Sequence, residues 1–380
     1  MKRAALRLST AAILLVTAVA CGDDDEAAPT TTALAVTRDT SGTTTVTTGT
    51  APPMADLGTY PPQPAGVPFP AADWPAGPLP AGVDQAAIDA AVATAFGPAN
   101  AGGRVQSVVV VHGGQLVYER YHPRDGPDQV MSSYSVAKSF TSAIVGMLIG
   151  DGTLSLDEHP PRPEWPAGDP RQAITLRQLL EMSSGLQWKE DAGIVGLVIQ
   201  WLGAPSAAHL VAARPLETEP GTAFNYSTGT SALIAGIAAD ALGGCAALDT
   251  YIHQRLLDPL GITTEQITKD GGGCFVGGLG MDMTTRDFAR FGLLYLRGGQ
   301  WDGQQLLPAG WVDQGRVPAA TNPQYGLHWW LSSQGFSAEG LFRQRIVVVP
   351  DEDLVIATNS TNGGDPDPMV RTITEQFGDA

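Results

Sequence analysis

Basic residues are scarce in this sequence. It has 22 lysine and arginine residues against 39 aspartate and glutamate residues, and its formal net charge at pH 7 is -17. A protein that binds nucleic acid needs a basic face for the phosphates. The composition therefore predicts that nucleic acid is not a partner. The acidity itself bears on solubility more than on fold or mechanism.

Long apolar runs are missing beyond the first residues, so no later segment is long enough to cross a bilayer as a helix. Three common enzyme motifs are also absent: the Gly-x-Ser-x-Gly turn, the His-Glu-x-x-His helix and the Walker loop. The six histidines are widely scattered without the spacing of metal ligands. We interpret them as surface or hydrogen-bonded core residues, and we predict neither a metal nor another cofactor.

Cysteine is rare, with Cys21, Cys245 and Cys274 as the three examples in the chain. Neither of the last two stands in a metal-ligand pattern, which argues against a zinc site. In an exported protein an even pair suggests a disulfide bond. Two unrelated thiols, one of them buried, are the alternative, and the sequence leaves that choice open.

The N-terminus has the composition of a targeting segment. Basic residues precede the apolar stretch 11–20, and Cys21 follows. Residues 18–21 (Ala-Val-Ala-Cys) are similar to a bacterial lipobox, in which the cysteine is lipidated after cleavage. We predict a signal peptide over 1–20, lipidation at Cys21, and an exported protein that meets the membrane through this anchor. Plain secretion is the alternative, because alanine is a weaker choice than leucine three residues before the cysteine.

Residues 21–80 are predicted to be a disordered tether, because they are rich in Thr, Ala, Asp and Pro. The folded domain is predicted over residues 81–380, and its apolar content suffices for a core. Gly113-Gly114 separates two β-rich runs and predicts a hairpin. The predicted strands are 107–112, 115–121, 326–332, 340–349 and 354–359, and the main predicted helices are 84–96, 135–149, 176–182, 229–242, 248–257, 285–296 and 369–377. Strands at both ends with helices between predict an α+β fold, in which one antiparallel sheet carries an inserted helical lobe.

The stretch Ser135-Val136-Ala137-Lys138 is the strongest indication of chemistry. Three residues make nearly one helical turn, so a helix places the Ser135 hydroxyl and the Lys138 amine on one face. The apolar residues that follow recur at helical spacing and indicate a buried helix. A serine at the start of such a helix, with an amine one turn on, builds a nucleophile without histidine. A serine and a lysine on a solvated face are the alternative.

A second segment, Pro220 to Thr228, contains a Pro-Gly turn followed by Phe224-Asn225-Tyr226. Taken alone it is a common aromatic loop. Taken with Ser135 and Lys138, it favours a functional segment over a structural loop.

In these motifs the chain resembles the serine β-lactamase and penicillin-binding protein superfamily. It looks closest to the class C β-lactamase-related branch, which includes esterases, D-aminopeptidases and 6-aminohexanoate-dimer hydrolase. The resemblance covers roughly residues 85–375. The segments that carry it are Ser135 to Lys138 for the family's Ser-x-x-Lys, Met182 to Leu186 for its Met-Thr-Ser-Gly-Leu, Tyr226 to Thr228 for its Tyr-x-Asn, Thr284 to Gly292 for its Thr-Ala-Arg-Asp-Leu-Ala-Arg-Phe-Gly and Tyr325 to Trp330 for its Tyr-Gly-x-x-Trp-Trp.

The resemblance implies an antiparallel sheet flanked by terminal helices, with catalysis by Ser135, Lys138 and Tyr226. It also implies an oxyanion site between the Ser135 N–H and the strand near Gly340. Two departures stand out: Thr228 replaces the asparagine, and the lysine of the Lys-Thr-Gly strand motif is absent. Where the hydrolase branch has Gly-x-Gly-Gly-Gln, this chain has Gly340-Leu341-Phe342-Arg343-Gln344. Arg343 would replace the missing charge if it pointed inward.

These features predict an exported serine hydrolase that cleaves a small ester, amide or peptide-like substrate through an acyl-enzyme on Ser135. The alternatives are a D-alanyl peptidase or β-lactamase that acts on cell-wall substrates, and a non-catalytic receptor of the penicillin-binding type.

Overall fold

A computed structural model describes residues 60–61, 64, 66–71, 73–97, 103–190, 201 and 203–378, together with two short strands, Thr37–Arg38 and Thr44–Thr45. These two strands pair antiparallel within a unit that covers residues 1–53. The second unit runs from Met54 to Ala380. The predicted signal peptide and Cys21 lie outside the described residues.

The second unit combines strands and helices in the order that an α+β fold requires. Its strands are β1 (Val105–His112), β2 (Gln115–Tyr121), β3 (Val130–Met131), β4 (Gln266–Ile267), β5 (Met281–Thr284), β6 (Gln300–Trp301), β7 (Gln304–Gln305), β8 (Trp330–Leu331), β9 (Phe336–Gly340), β10 (Gln344–Val349) and β11 (Leu354–Ser360). Its helices are α1 (Gln85–Ala95), α2 (Ala137–Gly150), α3 (Leu176–Leu180), α4 (Ala207–Ala212), α5 (Thr228–Leu242), α6 (Cys245–Ile252, continued to Leu260), α7 (Thr285–Leu296), α8 (Trp311–Gly315) and α9 (Asp367–Gly378).

Six of these strands form one antiparallel sheet in the order β8-β9-β10-β11-β1-β2. Successive side chains of a strand point to opposite faces, and β1 is buried on both of them. Val108 and Val110 pack with Ile88 of α1 and Ile373 of α9 on one face. The other face of the sheet packs against α7 and the helical lobe. The sheet thus lies between the terminal helices and the lobe, as predicted.

Helix α2 is the centre of the lobe. Every residue from Ala137 to Leu148 is buried, and the ring of Phe140 stacks on that of Phe291 with centroids 3.7 Å apart. A helix that is apolar on all sides belongs in the interior of a protein. Among the described residues no single helix is long and apolar enough to cross a membrane, although the bent pair Thr228–Leu242 and Cys245–Leu260 meets that test jointly.

The structure corrects the predicted end of the tether at residue 80. The Tyr60 hydroxyl donates hydrogen bonds to the backbone oxygens of Tyr295 (2.7 Å) and Leu296 (2.8 Å). Ala76 forms a β-bridge with Leu116, and the rings of this segment pack against the core. Composition predicted a segment without enough apolar surface to fold. Its few aromatic residues instead pack their rings against the core of the domain.

The strands near the C-terminus also differ from the prediction. The predicted strand 340–349 contains the last residue of β9, a turn over Leu341–Arg343, and β10. Phe342 and Arg343 have positive φ angles of 60° and 65°, and this reverses the chain. The predicted strand 326–332 is reduced to β8, because positive φ at His328 interrupts it.

Candidate active site

Ser135 lies in a short 3₁₀ turn, Tyr134–Val136, that leads directly into α2. The preceding loop is fixed by Asp282 of β5, whose carboxylate accepts hydrogen bonds from the Ser133 N–H (2.8 Å) and hydroxyl (3.0 Å). The Ser133 hydroxyl in turn accepts from the Met281 N–H at 2.9 Å. Burial raises the pKa of the Asp282 carboxyl. These bonds tie the serine turn to β5 before α2 begins.

Lys138 is buried in the lobe, with 1% of its surface exposed. Its Nζ lies 2.9 Å from Ser135 Oγ, 2.9 Å from Thr228 Oγ1 and 3.1 Å from the Gly278 carbonyl oxygen. Burial lowers the pKa of Lys138 from 10.5 to about 8, and the negative charge of Glu190 opposes this effect. A substantial fraction of the amine is therefore neutral near pH 8, which is the form that can accept a proton.

Tyr226 completes the group. Its ring centroid lies 4.7 Å from Lys138 Nζ, and the Ser135 hydroxyl acts to lower the pKa of its phenol. Burial raises the pKa of the Tyr226 phenol above its usual value, so the phenol keeps its proton at neutral pH. The structure thus brings the three residues predicted from sequence into contact.

Aromatic side chains pack around Tyr226. Trp330 stacks on Tyr226 with centroids 5.6 Å apart, and Tyr325 meets Tyr226 edge-on at 6.1 Å. Phe224 packs against Tyr325 at 5.3 Å.

Gly340, at the end of β9, lies directly against the serine turn. A Cβ atom at this position would sit 2.5 Å from the Ser133 carbonyl oxygen, so the close approach requires glycine. Leu341 follows at the start of the reversing turn and is 44% exposed. The Leu341 and Ser135 N–H groups thus belong to two backbone segments that meet at Gly340.

Arg343 does not replace the missing lysine. Its guanidinium pairs with Asp367 of α9 and with Asp365, and half of the side chain is exposed. Gln344 is buried in the sheet, where it donates to the Ser360 oxygen at 2.7 Å and accepts from Asn359 at 2.8 Å. The condition that Arg343 point inward is not met, because the reversal at residues 341–343 directs it to the terminal helix.

His328 braces the helices around the site. Its Nδ1 bonds to the Leu180 carbonyl oxygen at 2.7 Å, its Nε2 lies 3.0 Å from Ser231 Oγ, and its carbonyl accepts from the Ser139 hydroxyl at 2.8 Å. Burial lowers the pKa of His328 to about 3, so the ring is neutral. It holds α2, α3 and α5 together as a hydrogen-bonded core residue.

Three groups at the site were not found from the sequence: the Thr228 hydroxyl, the Gly278 carbonyl and the Glu190 carboxylate. Glu190 accepts hydrogen bonds from the Thr228 hydroxyl, from the Thr228 N–H (3.0 Å) and from the Trp188 indole N–H. The family motif marked position 228, but it has asparagine there, so it did not predict a role for the threonine hydroxyl. Nothing in the local pattern around Glu190 marked it, because Thr228, which links it to Lys138, lies 38 residues away.

The two later cysteines form a disulfide bond, with 4.7 Å between the Cα atoms. It joins the start of α6 to the loop that precedes Phe275. Within the described ranges, no group of three or more His, Cys, Asp or Glu side chains is placed to hold a metal ion.

Comparison with known proteins identifies the family. The Beta-lactamase family model matches residues 92–377. A 6-aminohexanoate-dimer hydrolase of Paenarthrobacter ureafaciens is 27% identical over 296 residues, which cover 69% of this chain and 73% of that protein.

Solved structures share the fold. A penicillin-binding protein homologue from Caulobacter crescentus superposes with a TM-score of 0.60 at 16% identity, over 80% of this chain and 99% of the other. A D-stereospecific amidohydrolase from Streptomyces gives 0.57 at 19% identity, over 76% and 98%. The resemblance and the α+β fold expected from the sequence are thereby confirmed, and the chain belongs to the beta-lactamase family of serine hydrolases.

Proposed function

We propose that this protein is an exported hydrolase that cleaves an ester or amide bond through an acyl-enzyme on Ser135. The main support is the contact of Ser135 Oγ with the buried amine of Lys138 at 2.9 Å, with the Tyr226 ring centroid 4.7 Å from the same amine. The N-terminal segment with Cys21 supports export and attachment to the membrane by a lipid anchor.

Acylation begins with the neutral amine of Lys138. It takes the proton of the Ser135 hydroxyl while Oγ bonds to the substrate carbonyl carbon, and the carbonyl π electrons move to its oxygen. The Ser135 N–H and the Leu341 N–H hold the resulting oxyanion. The start of α2 adds favourable partial charge at this point. Losing one donor of such an oxyanion site typically costs about 10² to 10³ in rate.

Breakdown of the tetrahedral species needs a proton on the leaving group. Tyr226 remains protonated at neutral pH and donates its proton to the departing nitrogen or oxygen as the carbon–heteroatom bond breaks. The ammonium of Lys138 then returns a proton to the phenol. In deacylation a water molecule adds to the carbonyl carbon of the Ser135 ester and gives a proton to Lys138. The bond from that carbon to Ser135 Oγ then breaks, the acid leaves, and the ammonium of Lys138 returns the proton to Oγ.

The substrate is proposed to be a small ester, amide or peptide-like molecule. The relative that is 27% identical is named for hydrolysis of the 6-aminohexanoate dimer. The Lys-Thr-Gly lysine is absent, and Arg343 faces the terminal helix, so neither residue is available to bind a substrate carboxylate. This weakens the case for efficient β-lactam hydrolysis and for a cell-wall D-alanyl peptidase.

A direct test compares a p-nitrophenyl ester, a p-nitroanilide and a fluorescent penicillin on the full chain. We expect turnover of the ester or anilide, and a serine-directed fluorophosphonate should label Ser135 as mapped by mass spectrometry. Ser135→Ala should abolish both results, while Ser155→Ala at an exposed position should change neither. Stable penicillin labelling without turnover would favour the peptidase, and no reaction with any probe would favour the receptor. Full activity of Ser135→Ala would refute the proposal.

A further inference from the structure

We propose that Glu190 is a positioning residue of this active site, which acts on Lys138 through the hydroxyl of Thr228. The inference rests on the proposed function, because it assigns Glu190 a part in Ser135 acylation. It adds a residue that neither the sequence motifs nor the comparisons single out.

Four side-chain groups form a continuous hydrogen-bonded row. Ser135 Oγ lies 2.9 Å from Lys138 Nζ, which lies 2.9 Å from Thr228 Oγ1, and Thr228 Oγ1 contacts a carboxylate oxygen of Glu190. The other oxygen of Glu190 accepts from the Thr228 N–H (3.0 Å) and from the Trp188 indole. Glu190 is thus held at the start of α5 by three donors.

The number of donors and acceptors on each group determines which one donates in each hydrogen bond of the row. An ionised carboxylate can only accept, so the single proton of the Thr228 hydroxyl points to Glu190. A lone pair of Thr228 Oγ1 then faces Lys138, which must donate to it. The Gly278 carbonyl oxygen, 3.1 Å from Nζ, is also an acceptor only.

These two acceptors determine where the lysine lone pair points. A neutral amine has two N–H bonds and one lone pair. When both N–H bonds are directed to Thr228 and Gly278, the lone pair is left for Ser135 Oγ at 2.9 Å. Glu190 therefore presets Lys138 as an acceptor for the serine proton, and the amine does not need to reorient before each attack.

A glutamine at position 190 would remove this constraint. Its amide offers N–H donors as well as a carbonyl, so the Thr228 proton could turn towards Lys138. The lysine N–H that Thr228 accepted would then be free to point at Ser135. The lone pair of Lys138 would then point away from Ser135 Oγ for part of the time, and acylation should slow without loss of substrate binding.

The test is a double-mutant cycle on the pre-steady-state burst with the p-nitrophenyl ester, or with the anilide if that is the better substrate. The burst is measured above pH 8, where Lys138 is largely neutral with or without the Glu190 charge. We expect Glu190→Gln and Thr228→Val each to lower the acylation rate constant there by about 10- to 100-fold. KM should remain near the value of the unaltered protein. The double variant should be no slower than the slower single variant, because both break one row. Thr228→Ser keeps the hydroxyl and should recover the rate lost in Thr228→Val.

Glu217→Gln is the matched control, because it neutralises an exposed carboxylate on another loop and should leave the burst unchanged. Unchanged acylation in Glu190→Gln, or losses that multiply in the double variant, would overturn the inference while the proposed function stands. If Glu190→Gln does not fold, failure of Thr228→Ser to exceed Thr228→Val would have the same meaning. Absence of any Ser135 acylation in the unaltered protein would overturn the proposed function, and this inference with it.

Discussion

The buried amine of Lys138 should make the stability of this protein depend on pH, and Lys138→Met should remove that dependence. In the unfolded chain the lysine keeps its proton up to its usual pKa of 10.5, whereas in the folded protein burial lowers the pKa to about 8. Between these values the unfolded state binds more protons than the folded state. The free energy of unfolding must therefore rise with pH across this window.

The size of the effect follows from the two pKa values. Each pH unit between about 8 and 10.5 is worth about 1.4 kcal/mol, so the full window amounts to about 3 kcal/mol. The side chain is 1% exposed, so solvent screening does not reduce this figure much. Below pH 8 both states hold the proton, and the folded protein bears the whole cost of a buried ammonium. Lys138→Met is free of that cost at every pH.

Urea denaturation of both proteins at pH 7, 8, 9 and 10 measures this difference. The free energy of unfolding of the unaltered protein, minus that of Lys138→Met, should rise by about 2 to 3 kcal/mol from pH 7 to 10. Lys269→Met removes a lysine with a side chain 37% exposed, paired with Asp249, and serves as the control. In the unaltered protein, kcat/KM should decrease as the pH is lowered through about 8, because Lys138 then becomes protonated. If the free energy of unfolding changed with pH in the same way in Lys138→Met and in the unaltered protein, the lowered pKa of Lys138 would be refuted.

Three further predictions test other parts of the site and fold. Gly340→Ala places a Cβ against the Ser133 carbonyl oxygen, and kcat for the ester should fall about 10²- to 10³-fold as the oxyanion donors separate; unchanged kcat would contradict this. Cys245→Ser opens a link between residues 29 apart, and urea denaturation should show a loss of about 3 to 4 kcal/mol, with a loss below 1 kcal/mol as the contrary result. Arg343→Ala should leave kcat/KM for neutral esters unchanged, since this side chain faces α9, and a large decrease would mean that it reaches the substrate.

Much of the fold follows from local pattern. The β1–β2 hairpin, helix α7 and the terminal helices lie where periodicity, caps and glycine turns predicted them. Each of these depends on neighbours in sequence, so short-range rules suffice. The predictions for the segment around Tyr60 and for residues 341–343 differ from the structure. The first depends on packing against distant residues and the second on positive φ angles at non-glycine residues, and composition shows neither.

The sequence by itself determined that Ser135 and Lys138 share one face of a helix, since a spacing of three residues does so in any helix. It could not determine that the amine is buried or which groups surround it. Thr228 and Gly278 contact Lys138 from separate segments, and Glu190 contacts Thr228 from a third; only tertiary packing brings these segments together. The same holds for Arg343, whose direction depends on a chain reversal. Helical spacing is a property of the local backbone, whereas burial, proton affinity and the direction of a hydrogen bond depend on contacts between distant parts of the chain.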